Sequence, residues 1–248
     1  MVTKNQIKLI SSLNHKKYRT QLQLFVAEGQ KLIAELLDAN FDLEQLYQTE
    51  AVFDTIQTSK KHTITNDELK KISFLNTPNN CLALFKIPKV KTERIGGLKI
   101  VLDVISDPGN LGTIIRLCDW FGISDLICSS DSVDVYNPKV VQATMGSLAR
   151  VNVVYTNLEN YLSKTNEPVY GAFMDGKPVY EEKFPENALL ILGNEANGIS
   201  SNIAHFVTKK ITIPRFGMLQ KTESLNVATA TAILINEFKR DLMKRKIN

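Results

Sequence analysis

The sequence has little cysteine, little histidine and no long apolar run, and each shortage closes a class of function. Its three cysteines, Cys81, Cys118 and Cys128, form no CxxC pair, and their odd number argues against a disulfide framework. The three histidines, His15, His62 and His205, stand far apart and in no ligand spacing with the cysteines, so no metal site is expected. No apolar segment approaches the ~20 residues that a membrane span needs. The start, Met1-Val2-Thr3-Lys4-Asn5-Gln6, is polar and lacks the apolar core of a secretory signal. A reduced, cytoplasmic protein is expected. With only 12 Gly and 8 Pro, collagenous and low-complexity classes are also excluded.

Common catalytic signatures are missing too. There is no GxSxG, HExxH or GxGxxG. Gly171-Ala172-Phe173-Met174-Asp175-Gly176-Lys177 fits GxxxxGK, but Pro178 stands where a phosphate loop needs the Ser/Thr hydroxyl for magnesium. Asp175-Gly176, between two apolar runs, reads instead as a tight turn. Gly193-Asn194-Glu195-Ala196-Asn197-Gly198 is no dinucleotide loop, because Glu195 would face the pyrophosphate.

What is present is an ordinary globular composition, 44% hydrophobic and 23% charged, in a chain long enough for one large domain or two smaller ones. The net charge of +4 is unevenly placed. Residues 1–97 carry 14 Lys/Arg against 10 Asp/Glu, whereas residues 98–248 carry 16 of each. The excess sits in His15-Lys16-Lys17-Tyr18-Arg19, Lys60-Lys61, Lys70-Lys71 and the stretch from Lys86 to Arg94. Such clusters suit a polyanion such as RNA, because each phosphate contact releases condensed counterions. From charge alone, a solvated lysine-rich surface is the simpler reading.

Periodicity divides the chain at the same place. Helical spacing over 4–13 and 28–37, short strands at 42–47 and 81–85, and a helix start at Thr65-Asn66-Asp67-Glu68 give an α/β unit of about 90 residues. A polar stretch from Ile87 to the Gly96-Gly97 pair reads as a linker, so the expected domains are 1–97 and 98–248. Beyond it, strands at 100–104, 125–128, 151–155, 169–173, 188–192 and 210–213 alternate with helices at 111–121, 138–148, 158–162 and 224–238. Asp107-Pro108-Gly109 is read as a turn. Alternation of this kind predicts a mainly parallel sheet with helices on both faces. Ligands of such sheets bind beyond the carboxyl ends of the strands, which singles out loops 105–112, 193–200 and 214–224.

Each of those loops carries a polar cluster: Asn110, Gly112, Ile114 and Arg116 in the first, Gly193, Glu195 and Gly198 in the second, Ile213-Pro214 and Ser224-Leu225-Asn226-Val227 in the third. In this order, and across residues 98–240, they resemble the N-x-G-x-I-x-R, G-x-E-x-x-G and I-P…S-L-N-V motifs of the SpoU/TrmH family of RNA 2′-O-ribose methyltransferases, within the SPOUT class. Residues 16–29, with Lys16-Lys17-Tyr18-Arg19 and Phe25-Val26-Ala27-Glu28-Gly29, resemble the ribosomal-protein L30e-like domain that often precedes that catalytic domain. Two departures stand out. The segment between Pro214 and Ser224 is a few residues longer than the family loop, and Ala228 stands where many members have Ser.

The resemblance implies a trefoil-knotted C-terminal domain, a homodimer, and S-adenosylmethionine as cofactor, held by Leu192, Gly193, Ile213 and Leu225. It implies Arg116 as the catalytic position, with Asn110, Glu195, Ser224 and Asn226 fixing the loops and orienting Arg116 and the ribose. Glu195 and Asn226 are equally readable as structural. Lys16, Lys17, Arg19 and Arg116 would bind rRNA or tRNA substrate. Two roles for Arg116 stay open: base toward the 2′-hydroxyl, or a cation that holds the neighbouring phosphate and the developing alkoxide. The alternative activity is a non-catalytic RNA-binding or ribosome-assembly protein that has kept the fold.

Overall fold

The computed structural model describes residues 1–89, 92–219 and 224–247. Val90 and Lys91 of the expected linker, and Gln220 to Glu223 of the third loop, lie outside the described residues. In chain order the elements are α1 (Lys4–Ser12), α2 (Lys16–Leu22), β1 (Leu24–Glu28), α3 (Gln30–Asp38), β2 (Leu43–Gln48), β3 (Lys61–Thr63), α4 (Asn66–Ile72) and β4 (Cys81–Lys86). They continue with β5 (Leu98–Leu102), α5 (Pro108–Trp120), β6 (Asp125–Ser129), α6 (Pro138–Thr144), β7 (Asn152–Thr156), α7 (Leu158–Leu162) and β8 (Val169–Pro178). β9 (Ala188–Leu192), α8 (Ser201–Ala204), β10 (Lys209–Thr212) and α9 (Val227–Ile247) complete the chain.

These elements form two compact units. The first comprises Met1–Lys89 together with Asp134–Arg150, and the second comprises Val90–Val133 and Val151–Asn248. The segment 134–150, placed by sequence in the C-terminal domain, is therefore part of the N-terminal unit, where α6 packs on β1. Arg19 is one reason. Its side chain is 2% exposed, and Nε and Nη2 donate to Asp134 Oδ2 at 2.8 and 2.5 Å. Nη1 donates to the Leu13 and Asn14 carbonyls at 2.8 and 2.9 Å. A second ion pair joins Arg150 to Glu35, and Phe25 packs against Tyr136 with ring centroids 4.9 Å apart and the rings tilted by 41°.

In the first unit the sheet order is β1-β4-β2-β3, antiparallel except for the β2–β3 pair. Ile10 of α1, Leu13 just after it, and Leu69 and Ile72 of α4 pack with Val26, Tyr47, Leu82 and Leu84 of the sheet. Thr65 caps α4 through a box with Glu68, as its sequence predicts.

The second unit is built on a six-stranded sheet of order β10-β8-β9-β5-β6-β7, all pairs parallel. Strands buried on both faces read as continuous apolar runs, which is why 100–104 and 188–192 stood out; the first strand lies two residues earlier, at Leu98–Leu102. Val101, Ile127, Leu189 and Ile191 pack against Leu158 and Leu162 of α7 and Ile203 of α8. Tyr170, pointing to the opposite face by the two-residue period, meets Phe238 of α9 at 5.2 Å. The chain runs from β5 to β6 on one side and later returns to β9 on the other. The switch in strand order therefore falls between β5 and β9, and the carboxyl ends of these strands are where open parallel sheets form their ligand crevice.

Three local expectations are corrected. Asp175-Gly176 is not a hairpin turn but lies within β8, where Lys210 and Ile211 of β10 pair with Gly171 and Lys177 across an irregularity. A Cβ at Gly176 would come within 2.5–2.8 Å of the Ile211 backbone, so the glycine admits β10 and does not make a bend. The helix expected over 138–148 breaks after Thr144, because Met145 and Gly146 take left-handed conformations, φ 50° and 95°. Asp107-Pro108-Gly109 is the first turn of α5, not a separate turn: Pro108 occupies its first position and Asp107 Oδ1 accepts from the Asn110 amide.

Candidate active site

The crevice is walled by the loops after β5 and β9, which the register sets side by side: Leu102 pairs with Leu192, and the Asp103 amide donates to the Leu192 carbonyl at 2.9 Å. The loop after β9 turns back on itself, with Asn194 and Gly198 exchanging both backbone hydrogen bonds at 2.9 Å. Gly193 is obligatory there. A Cβ would lie 2.1 Å from the Gly198 carbon and the Ile199 nitrogen, which are backbone atoms and not the far end of a flexible side chain.

Three side chains tie the three loops together. Asn110, on the first turn of α5, donates through Nδ2 to Glu195 Oε1 at 2.8 Å. Its Oδ1 accepts from Asn226 Nδ2 at 2.9 Å. An amide can do both at once because it carries a donor and an acceptor on one planar group. Asn226 also caps α9, its Oδ1 accepting from the Ala228 and Thr229 amides at 3.0 and 3.2 Å. The helix therefore starts at Val227, three residues later than the sequence suggested, with Asn226 as its cap. Asn226 is thus both a cap and the link to Asn110. Ser224 is exposed beside it.

Arg116 projects from the same helix as Asn110. Leu111, Gly112, Ile114, Ile115 and Cys118 form the buried face of α5, so position 116 falls on the opposite side, exposed. Among the described residues Arg116 has no ion pair or hydrogen bond, and its fork of donors is free to take an oxyanion.

The structure separates the remaining predicted residues. Leu192 is 1% exposed and its carbonyl already accepts from Asp103, so a second lone pair is what it offers a ligand. Ile213 is half-buried and Leu225 is 49% exposed, and both supply apolar surface after β10. Phe216, Met218 and Leu219 in the longer third loop are 80–102% exposed. Apolar surface left bare on that scale is expected where a ligand or second chain covers it. Lys16 and Lys17 are exposed on α2. Arg19 is not a substrate contact, because all the bonds described above are spent inside its own unit. The basic-cluster argument fails for it because charge counting cannot see burial.

Several positioning residues escaped the sequence. Val104, directly after β5, is in the left-handed region at φ 57°, an outlier for a β-branched residue. It is held there from two sides: its amide donates to Ser129 Oγ at 2.9 Å and its carbonyl accepts from Asn194 Nδ2 at 2.8 Å. Ser132 Oγ accepts the next amide, Ile105, and buried Asp103 accepts the Ser200 amide at 2.7 Å. Such strain persists only where the surroundings over-determine it. Asn194, inside the second motif, was the one signal available.

Fold and site define a class: a parallel α/β protein whose ligand crevice lies at the switch point, ringed by an amide–carboxylate bridge and a guanidinium that no described residue pairs. Comparison with known proteins narrows it. Residues 97–236 match the SpoU rRNA Methylase family, and residues 4–83 match the MRM3-like substrate binding domain. The 23S rRNA (guanosine(2553)-2′-O)-methyltransferase RlmP of Bacillus subtilis is 30% identical, over 94% of this chain and 95% of its own. A TrmH-family structure from Porphyromonas gingivalis superposes with TM-score 0.88 at 41% identity, covering 97% of this chain and 99% of that one. The S-adenosylmethionine-bound rRNA methyltransferase of Sinorhizobium meliloti gives TM-score 0.86 at 26% identity, covering 98% and 97%. The chain belongs to the SpoU rRNA methylase family.

Proposed function

We propose that this protein is an enzyme that methylates a ribose 2′-hydroxyl of structured rRNA or tRNA with S-adenosylmethionine. The observation that carries the reading is the Asn226–Asn110–Glu195 bridge, which joins the three motif loops at one sheet edge and leaves Arg116 free beside them. A purely RNA-binding protein has no need of that arrangement.

The residues present suit the cofactor. Ile213 and Leu225 offer apolar walls for adenine, and Gly193 lets the second loop close against its own backbone. Bound S-adenosylmethionine supplies an electrophilic methyl group on a sulfonium sulfur. The protein must then orient the ribose and lower the cost of removing the 2′-hydroxyl proton as the oxygen–carbon bond forms and the carbon–sulfur bond breaks, the thioether leaving. A guanidinium keeps its protons in proteins, so Arg116 acts best by gripping the phosphate next to the reacting ribose and stabilising alkoxide charge. In this reading the same phosphate is the acceptor for the 2′-hydroxyl proton. Asn110, Glu195 and Asn226 hold the helix that carries Arg116, and Ser224 adds a hydroxyl beside the third loop.

Lys16 and Lys17 on α2 supply phosphate affinity in the N-terminal unit, which reads RNA by shape and charge. The same reading carries a trefoil knot through the C-terminal domain, a homodimer, no resident metal and a cytoplasmic location. Trp120, 85% exposed at the end of α5, is apolar surface that a second copy would cover. Among the described residues no helix is long and apolar enough to cross a membrane, and no cluster of metal-ligating side chains occurs.

The test is transfer of labelled methyl from S-adenosylmethionine to RNA from cells lacking this protein, with Arg116→Ala alongside. The expected result is alkali-stable label at one linkage, lost in Arg116→Ala while cofactor binding persists. Cofactor binding without label on naked RNA or assembled subunits, or loss of folding in Arg116→Ala, would refute the assignment.

A further inference from the structure

The N-terminal unit contains a cavity of about 300 Å³, at the small end of ligand sites and suited to one planar ring system. Its lining includes Glu28, Phe74, Leu75, Lys139, Gln142 and Met145. It is formed where α6 and the turn after it meet the end of β1, so it exists only because segment 134–150 belongs to this unit. Neither the motif loops nor the bridge around Asn110 takes part in it.

Its chemistry is uneven. Phe74 and Leu75 are half-buried and Met145 is 48% exposed, giving apolar surface open to solvent. Lys139 is exposed on α6. The one acid, Glu28, is 4% exposed. Its Oε2 accepts from Ser73 Oγ at 2.5 Å and its Oε1 from the Phe74 amide at 2.7 Å. A carboxylate has about four lone-pair sites, so roughly two acceptors remain after these bonds. Neither the active-site mechanism nor an ion pair uses them. A carboxylate with spare acceptor capacity in the lining of a largely apolar cavity, with a cation in the same lining, fits a flat ring that presents two adjacent N–H donors and is followed by a phosphate.

We propose that this cavity receives one unpaired guanine of the RNA substrate, its N1–H and N2–H groups donating to Glu28, its ring against Phe74 and Met145, and its phosphate near Lys139. Guanine is the base whose pairing edge carries two neighbouring donors, and single-stranded bases are generally read by such edges together with aromatic stacking. Gln142, half-buried in the same lining, supplies a donor for the O6 carbonyl. The inference rests on RNA being the substrate. It deepens that reading by giving the N-terminal unit a base preference in addition to affinity for phosphate.

The test uses the full chain and fluorescence anisotropy with single-stranded UUUGUUU, compared with the same heptamer carrying inosine, which lacks the N2 amine, or adenine at the centre. Guanine should bind about tenfold more tightly than either, the discrimination expected of one good bidentate contact. Glu28→Gln should abolish the difference. Burial raises the Glu28 carboxyl above the usual carboxylate range, so a neutral amide is tolerated there, and its oxygen can still accept the Phe74 amide. Ala143→Leu, on the cavity wall with the carboxylate intact, should abolish it too. Equal binding of the three heptamers, or a guanine preference that survives in both folded variants, overturns the proposal alone. Absence of any RNA binding by a chain that still binds S-adenosylmethionine overturns the RNA reading and the cavity with it.

Discussion

Replacing Asn110 by Asp should disable the active site without unfolding the protein. The substitution keeps the acceptor for Asn226 Nδ2 at 2.9 Å but removes the donor to Glu195, leaving two carboxylates 2.8 Å apart. A hydrogen bond to a charged group contributes ~1.5–3 kcal/mol when protected, and the exposure of Glu195 puts this one near or below the lower end. Two unit charges at that distance repel by about 1.5 kcal/mol at the dielectric of water, less with salt. Together the two effects disfavour the closed loop arrangement by about 2 kcal/mol, which is about 30-fold in its population. Methyl-transfer kcat/KM should fall by about that factor while the melting temperature moves little, because the opened loops are surface elements. Glu195→Gln alone should cost less, since the glutamine oxygen still accepts from Asn110. The double variant Asn110→Asp/Glu195→Gln should recover much of the loss, because the glutamine amide then donates to the carboxylate introduced on α5. An Asn110→Asp enzyme of full activity, or a double variant no better than Asn110→Asp, would refute the claim that this bridge holds the site.

Four further outcomes follow from other parts of the structure. Arg19→Ala should destabilise the first unit by ~3–5 kcal/mol in denaturant titration, as expected when one partner of a buried pair is removed, and two carbonyls lose their donor as well. A change confined to RNA affinity would instead restore Arg19 as a substrate contact. Gly193→Ala should abolish S-adenosylmethionine binding by calorimetry, because the added carbon forces the Gly198–Ile199 backbone away by roughly an ångström; unchanged binding would exclude that loop from the cofactor site. Burial pushes the Cys81 thiol up to about 11 and the Cys118 thiol to about 12, against ~8.5 in an unfolded chain. The folded state therefore holds protons that the unfolded state releases, and stability should be full below about pH 8.5 and decline toward about pH 11. A thiol reagent at about pH 8 should find all three cysteines only after denaturation.

The sequence settled the elements whose signals are local. Thr65 with Glu68 announced a capped helix, the apolar runs at 100–104 and 188–192 announced buried parallel strands, and the three motif clusters announced where the crevice would be. Those features depend on neighbours within a few residues, or on the period of a strand or helix. Tertiary structure decided the rest, for reasons of distance and burial. Arg19 reads as one more cation in a basic run, and only the fold shows it sealed against Asp134, 115 positions away. That pairing is also why residues 134–150 left the domain to which order along the chain assigned them, so that deletion of residues 1–97 would strip α6 of its partner. The strain at Val104 has no sequence signature, since nothing in a valine announces a left-handed backbone. The sequence by itself determined which side chains the chemistry has available. That Asn110, Glu195 and Asn226 form one hydrogen-bonded bridge, and that Glu28 closes a cavity, was decided by parallel register and packing, which bring together residues that local order keeps far apart.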